Sequence, residues 1–388
     1  MKVIVVFFVF ISIVMASTMM DEIEKGVFYY KQKQYEKALE IFDRVLINHP
    51  NSKRARLEYA RVLYAMGRYE ESKKEFLYVL NQNPPPLVCK NIKWFLKKIE
   101  KKQKTNFFNG FVAVSTISDD NIENKSDNPV YAGFIDSNTQ KKKDRYLTAE
   151  VYLQHTKKLQ KALWQNSLYL YDEYLHDQSE DKVSYLSLSS SYKFYLSGVR
   201  VCLPLGVSLT NVDSKEYLKS VTINPSFSKV LSRSSKVFFR ILSEYNKNVD
   251  DDEKSSKVYG VDTRWMKRFR KLTTTIGLTY KQYDKVTGDR IDVAKKRGSI
   301  NLSTSYSIFS TNLLSLLYKK TKDVYKEKDP SINDERVDKL DKFNVDFQQS
   351  IGKNRFFELG FTKISNKSNL DIYSYDKNIY SLKIKQTF

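Results

Sequence analysis

From Tyr380 to Phe388 apolar or aromatic side chains hold every second position except Gln386. A strand repeats its side-chain direction every two residues, so Tyr380, Leu382, Ile384 and Phe388 share one face. Ser381, Lys383 and Lys385 share the other. Chain ends usually fray, and a soluble domain seldom finishes on an amphipathic strand whose last side chain is aromatic. The feature calls for a sheet that holds this strand as a full member and has an apolar environment for its outer face.

The period of two recurs upstream. From Phe107 onward Gly and Pro are sparse, and the hydrophobic period changes from 3.6 residues to 2. This predicts fourteen strands, near 107–116, 146–156, 163–174, 182–196, 199–210, 217–231, 236–245, 257–267, 272–282, 298–308, 313–320, 341–351, 355–365 and 378–388. The clearest places Val199, Val201, Leu203, Leu205, Val207 and Leu209 opposite Arg200, Cys202, Pro204, Gly206, Ser208 and Thr210. Short connections are predicted at 157–162, 197–198, 232–235, 268–271, 309–312 and 352–354. Longer, charged ones fall between them, at 117–145, 175–181, 211–216, 246–256, 283–297, 321–340 and 366–377. This pattern resembles bacterial outer-membrane β-barrels, which have short periplasmic turns and longer outside loops. In them the closing strand carries a terminal aromatic read by the barrel-assembly machinery. The resemblance implies that Phe388 is an assembly signal and that the machinery and outer-membrane lipids are partners. An even strand number then leaves both ends of the barrel chain in the periplasm. A soluble β-sandwich is the alternative, and its turn lengths need not alternate.

A mean hydropathy of −0.52 and 29% charged residues would ordinarily mark a soluble chain. A membrane barrel escapes that criterion because only half of each strand faces lipid. The 27 Tyr and 23 Phe are enough for aromatic girdles. The net charge of +21 fits contact with anionic lipopolysaccharide or an anionic lumen substrate. A lysine-rich genome is the plain alternative. Nucleic acid is not the expected partner, since the chain reads as exported and its Lys are scattered rather than gathered in a stripe. On the polar faces of the strands, Glu150, Tyr152, Arg200, Arg240, Glu244, Asp262, Arg264, Asp346, Glu358, Lys383 and Lys385 are the candidate lumen-lining residues. Such mixed charge either satisfies itself as an internal network or coats a narrow conduit.

Residues 1–16 have the form of a signal peptide. Lys2 precedes an apolar run of about twelve residues, shorter than the ~20 a spanning helix needs, and cleavage is expected after Ala16. Residues 17–104 are then expected in the periplasm and 105–388 in the barrel. Within the first segment, residues 19–86 repeat every 34 positions: Gly26 maps to Ala60, Tyr30 to Tyr64, Tyr35 to Tyr69, Phe42 to Phe76, Val45 to Val79 and Pro50 to Pro84. Small residues where helices cross, Phe in the core and Pro after the second helix form the tetratricopeptide pattern. Its first Trp and Leu positions are occupied instead by Glu22 and Lys25. Residues 87–104 supply a helix to cover the open end of the two-unit stack. Such stacks bind peptides on a concave surface, here expected near Tyr29, Tyr30, Tyr59, Leu63 and Tyr64. A spacer without a ligand is the alternative.

Motifs for catalysis are missing. The three His (49, 155, 176) are scattered and none neighbours a nucleophile in a recognisable arrangement, so no enzyme activity is expected. Cys89 and Cys202 have no CxxC partner, and no disulfide, cofactor or metal site is expected. Asp119-Asp120-Asn121 and Asp250-Asp251-Asp252 lack the spacing and turn Gly of an EF-hand, and read as solvated loop charge.

One junction is more specific. Arg56-Leu57-Glu58-Tyr59-Ala60-Arg61, then Tyr69, Phe76 and Leu80, lead into Asn83-Pro84-Pro85-Pro86, Asn91-Ile92, Phe95-Leu96 and a first strand with Asp119-Asp120-Asn121. This run resembles the surface lipoprotein assembly modifiers, which join a periplasmic tetratricopeptide domain to a fourteen-stranded outer-membrane barrel. The resemblance implies a fold of α plus transmembrane β: a short tetratricopeptide α-solenoid followed by an antiparallel 14-stranded barrel. It also implies a function: moving lipoproteins or other proteins to the cell surface, with the repeats engaging the client and the barrel serving as conduit or insertion platform. The helical domain is shorter than in well-studied members. Exopolysaccharide exporters also pair such repeats with a barrel, and a passive anion-preferring porin needs no repeats.

Overall fold

A computed structural model describes residues 19–126, 130–131, 134–135, 141–174, 182–330 and 332–388. The region expected to be a signal peptide lies outside these. The chain divides at Lys104/Thr105 into a helical and a β unit. No described helix is long and apolar enough to cross a membrane.

The helical unit contains α1 (residues 19–31), α2 (Tyr35–Asn48), α3 (Lys53–Ala65), α4 (Tyr69–Leu80) and α5 (Pro86–Gln103). The 34-residue repeat reappears in its hydrogen bonds. Gly67 sits at φ +81° after α3, and its counterpart 34 positions earlier, Lys33, sits at φ +59° after α1. Arg68 N–H donates to Leu63 O as Gln34 N–H donates to Tyr29 O, so both copies close the first helix with the same left-handed cap. Gly26 allows close crossing: a Cβ there would lie 2.7 Å from the Phe42 ring. Ile23, Ala38, Ile41, Phe42, Val45, Ala55 and Val62 form one buried cluster. Ala60, Phe76, Val79, Ile92 and Ile99 form a second, which α5 covers. Pro86 opens α5 at a position whose N–H would have no intrahelical partner.

The β unit is a closed antiparallel ring of fourteen strands. They are β1 (Asn106–Asp119), β2 (Asp144–Lys158), β3 (Ala162–Tyr174), β4 (Val183–Leu196), β5 (Val199–Val212), β6 (Lys215–Ile223 and Ser226–Ser232), β7 (Ser235–Asn248), β8 (Ser256–Phe269), β9 (Leu272–Lys285), β10 (Lys295–Phe309), β11 (Asn312–Asp329), β12 (Asp334–Ser350), β13 (Arg355–Ser368) and β14 (Tyr375–Thr387). Each pairs with its neighbours, and β1 closes the ring against β14 from Phe111↔Thr387 to Asp119↔Ile379. At the start of that seam Phe388 and Gly110 exchange two backbone hydrogen bonds of 3.1 Å. The Phe388 ring lies where a Cβ on Gly110 would be, at 2.9 Å.

Three expectations need correction. The strand expected at 217–231 breaks at Asn224-Pro225, because Pro has no N–H to give the ladder. The Asn224 side-chain oxygen accepts from Ser243 N–H at 3.1 Å, and Pro225 O accepts from Ile241 N–H at 2.9 Å, so β7 loses little. The connection expected over 211–216 is a two-residue turn, with Asp213 at φ +52° and Ser214 at φ +64°. Positive φ at both central residues suits the twist of a tight hairpin. The loop expected over 321–340 is mostly strand, since β11 runs to Asp329 and β12 begins at Asp334. Loop length therefore alternates less cleanly than the sequence suggested.

Candidate functional site

The alternating faces of the strands define an outside and a lumen. On β5, Leu203, Leu205 and Val207 are 46%, 53% and 46% exposed on the outside. Leu188, Ile241, Val261, Ile276, Leu278, Ile300, Leu302, Leu359, Leu382 and Ile384 are likewise exposed. Aromatic residues border this apolar band. Tyr245, Tyr259, Tyr280, Tyr318, Phe343 and Tyr380 lie toward the longer loops; Phe108, Trp164, Tyr192, Trp265, Tyr306 and Phe388 lie toward the short turns. Water would not favour such a surface, whereas hydrocarbon between two interfaces would.

The opposite faces point into the lumen, and register brings the candidate lumen residues into contact. Lys383 of β14 reaches Glu150 of β2 at 2.6 Å, across a β1 that carries only Ala113 and Ser115 in the intervening rows. Tyr169 O–H donates to the same carboxylate at 3.1 Å. Tyr152 stacks on Phe111 at 5.6 Å and accepts from Gln154. Lys385 pairs with Glu358 at 3.3 Å. Glu244 pairs with Lys281 at 3.2 Å from β7 to β9, and Gly260 of β8 leaves space for the lysine. Arg264 grips Asp262 through two hydrogen bonds of 2.9 and 2.6 Å. Arg240 and Arg264 both lie against the Phe238 ring. Asp346 accepts from Asn344 at 3.3 Å, and Arg200 lies over Tyr195. Small residues under long ones are the recurring device: a side chain spans two strands where the middle strand has little or no side chain.

Sequence reasoning missed the upper part of this network. Arg297 holds Asp323 through two hydrogen bonds of 2.7 and 2.6 Å, and Lys295 adds a third contact at 3.1 Å. Arg336 holds Asp338 at 3.0 and 2.7 Å. Asp323 and Asp338 had been placed in the expected 321–340 loop. In the structure buried Thr321, Asp323 and Tyr325 alternate with Lys320, Lys322 and Val324, but the hydrophilic character of both faces over 320–323 left little local signal in the sequence. Lys319 and Lys342 were also missed. They are direct cross-strand partners on the lumen face, and neither makes an ion pair among the described residues.

Asp119-Asp120-Asn121 is not solvated loop charge. Asp119 is buried and pairs with Lys377 at 2.9 Å. The Asp120 carboxylate accepts from the backbone and side chain of Asn378, at 2.7 and 2.8 Å. Buried Asn121 donates to Lys125 O and Asp376 O. These three residues fasten the end of β1 to the start of β14, so the seam is clasped here and by Phe388 at its other end. In Asp250-Asp251-Asp252 the two outer residues are exposed, as expected of solvated loop charge, and only Asp251 is structural. Asp251 accepts from Glu253 N–H and pairs with Arg290 at 3.2 Å, joining two loops. No group of three metal-ligating side chains is present among the described residues.

His155 faces outward, stacked on Phe108 at 4.7 Å with its Nε2 3.0 Å from Asn106 Oδ1. His49 follows α2, and His176 lies outside the described residues. Cys89 and Cys202 are free thiols in separate units.

In the helical unit, Leu63 cannot belong to a binding surface, because it is 1% exposed in the core. The helix turns that side chain toward its neighbours rather than toward solvent. Tyr64 packs edge-on against Tyr69 and Phe95 at 5.6 and 5.3 Å. Tyr29, Tyr30 and Tyr59 are half-buried beside the first cluster, and Arg61 lies over Tyr30. Burial raises the Tyr59 hydroxyl above its ordinary value, and Asp43 adds to that rise. The larger exposed apolar residues are others: Phe28, Ile47, Leu77, Tyr78, Leu87 and Trp94.

The tetratricopeptide repeat family matches residues 29–88. No curated protein matches the chain. Among solved structures, the anion-selective porin from Comamonas acidovorans is 9% identical, with a TM-score of 0.45, covering 73% of this chain and 99% of its own. OmpT of Vibrio cholerae is 7% identical at 0.45, covering 73% and 97%. OprD of Pseudomonas aeruginosa is 7% identical at 0.37, covering 73% and 95%. At these values the likeness carries no argument about what this barrel does.

Proposed function

We propose that the protein is an outer-membrane export or assembly factor that moves lipoproteins or other proteins to the cell surface. The observation that carries this reading is the covalent pairing of a peptide-binding type of repeat module with a closed barrel. Only Lys104 and Thr105 separate α5 from β1. The module engages a client in the periplasm, and the barrel provides its route or its insertion platform. The apolar exterior with two aromatic borders supports a site in the outer membrane. Paired charges line the lumen, which suits a conduit or insertion platform, and in this reading the protein is not an enzyme. The partners are the barrel-assembly machinery, which reads Phe388, and an exported client.

The test removes residues 21–100 while keeping residues 1–20 and the barrel. Barrel assembly is expected to survive, and protease-accessible display of the client on intact cells is expected to fall. Undiminished display would reduce the repeats to a spacer.

A second reading, a passive anion-preferring porin, draws support from Lys319 and Lys342. Like charges directly opposed across strands repel unless an anion lies between them. Reversal potentials of the purified protein in planar bilayers distinguish the readings: anion conductance without effect on any surface protein favours the porin.

A further inference from the structure

Beyond the aromatic border, β11, β12 and β13 continue as strands with lysines on their outer face. Two registers meet there. Lys322 of β11 is the direct partner of Lys339 of β12, and Lys339 is the direct partner of Lys367 of β13. All three are exposed. The residues alternating with them, Thr321, Asp323, Asp338 and Asn366, are buried on the lumen side. The lysines therefore project away from the barrel.

Three like charges in one row of a sheet are unfavourable, because side chains on directly opposed residues sit ~5 Å apart. On the outer face of β6 and β7 the chain neutralises such an opposition itself: Lys219 faces Lys247, and Glu216 holds Lys219 at 2.6 Å. In the adjacent row Lys320 has Asp341 at 3.8 Å. Lys322, Lys339 and Lys367 make no ion pair among the described residues. Their neutralising charge has to come from outside the chain.

Height along the strand indicates what supplies it. Tyr318 and Phe343 are exposed partners at the aromatic border. Lys322 lies four residues beyond Tyr318, ~13 Å along the strand at 3.3–3.4 Å per residue. With a strand tilt of about 40°, the backbone of the row stands ~10 Å above the border, just past the headgroup layer, and the long lysine side chains reach back into it. The geometry points to a site for a lipid headgroup that carries more than one phosphate, as lipid A does, in the leaflet at this end of the barrel, held by Lys322, Lys339 and Lys367. The inference rests on the membrane-embedded reading of the barrel, though not on export of a client.

The experiment uses the full-length protein in nanodiscs, where heat-modifiable gel mobility first establishes the folded, embedded barrel; failure at that step overturns the membrane reading itself. Nanodiscs are of phosphatidylcholine alone, phosphatidylcholine with lipid A, or phosphatidylcholine with phosphatidylglycerol at matched charge. Lipid A is expected to raise the melting temperature and to remain bound in native mass spectrometry. Since a basic side chain near an anionic surface contributes ~1 kcal/mol, K322Q/K339Q/K367Q should lose on the order of a hundredfold in lipid A affinity. The single variant K339Q, which removes only the central charge, should lose roughly fivefold. K101Q/K102Q on α5 serves as the charge control and should lose nothing. Equal lipid A retention by the triple variant, or an equal loss in the control, would overturn the site. An equal shift with phosphatidylglycerol or with free inorganic phosphate would also overturn it, reducing the row to diffuse attraction.

Discussion

The helical module and the barrel hide apolar side chains in opposite directions. Phe42, Val45 and Phe76 are sealed between helices, and the outside is mainly polar apart from a few exposed apolar residues such as Phe28, Ile47 and Trp94. In the barrel Leu203, Leu205 and Ile384 point outward, and the carboxylates of Glu150, Asp262 and Asp323 point inward to lysine and arginine. One chain thus carries two grammars, a 3.6-residue period with its core inside and a 2-residue period with its apolar face outside. The contrast teaches that hydropathy averaged over the chain describes neither part.

The sharpest way to break the contrast is at the seam, where the barrel has no counterpart in the module. Deleting Phe388 removes two backbone hydrogen bonds to Gly110 and the ring that covers it. Loss of folded, heat-modifiable barrel from the membrane fraction is expected, with the helical unit still folded. Normal amounts of folded barrel would show that the seam closes without it.

The next test compares equivalent insults to the two cores. Phe42→Ala should cost the helical unit about 3–5 kcal/mol, measured by denaturant unfolding of the full-length protein with a probe in α1–α5. The barrel transition should not move, because each unit has its own core. A matching shift in the barrel would overturn the independence of the units.

Leu203→Arg and Ser208→Arg ask the same question within one strand. Leu203 faces outward, and a cationic side chain near the bilayer midplane should cost about 2–4 kcal/mol. Ser208 occupies the lumen face of the same strand, where the change should cost well under half of that. Equal costs in a barrel-unfolding titration would reject this register for β5.

Much of this was readable because the lipid-facing band imposes a strict alternation on each strand. Above the band that constraint disappears. Lys320 and Lys322 face headgroups or water, and Thr321 and Asp323 face a polar lumen, so both faces are hydrophilic and the strand reads as a loop. The role of Asp119 and Asp120 was hidden for another reason: Lys377 and Asn378 lie 258 positions away, and nothing local distinguishes a buried acid from a solvated one. Leu63 shows the limit in the helical unit. Stacked repeats bury residues on more than one face of a helix, so membership of the first helix of a pair does not mean exposure. Gly26, Ala60 and the Pro84–Pro86 run, in contrast, signalled their roles through sterics that only small or N–H-free residues satisfy.

The smallest expected effect lies in the loops, where the two grammars give way to surface electrostatics. Arg290 donates to both oxygens of Asp292, at 3.0 and 2.7 Å, and its remaining arm reaches Asp251 at 3.2 Å. The hydrogen bonds from Arg290 hold the Asp292 carboxyl below the ordinary aspartate value. A depressed folded value means that the charged form is favoured by folding. The contribution is complete above the unfolded value, about 3.9, and disappears as pH falls through the lower folded value. Glu123 behaves in the same sense in the first long loop, where Lys142 holds it at 2.6 Å. Asp292 and Arg290 are both about one-third exposed, so water screens the pair and its worth is about 0.2–1 kcal/mol. Hydrogen exchange of residues 286–294 measured between pH 6 and pH 2.5 should show protection falling only below about pH 4, after correction for the intrinsic exchange rate. Asp292→Asn removes the titrating group, and its corrected profile should be flat and low throughout. Superimposable profiles for the two proteins would mean that backbone contacts, rather than the Arg290 fork, hold this loop to its neighbour.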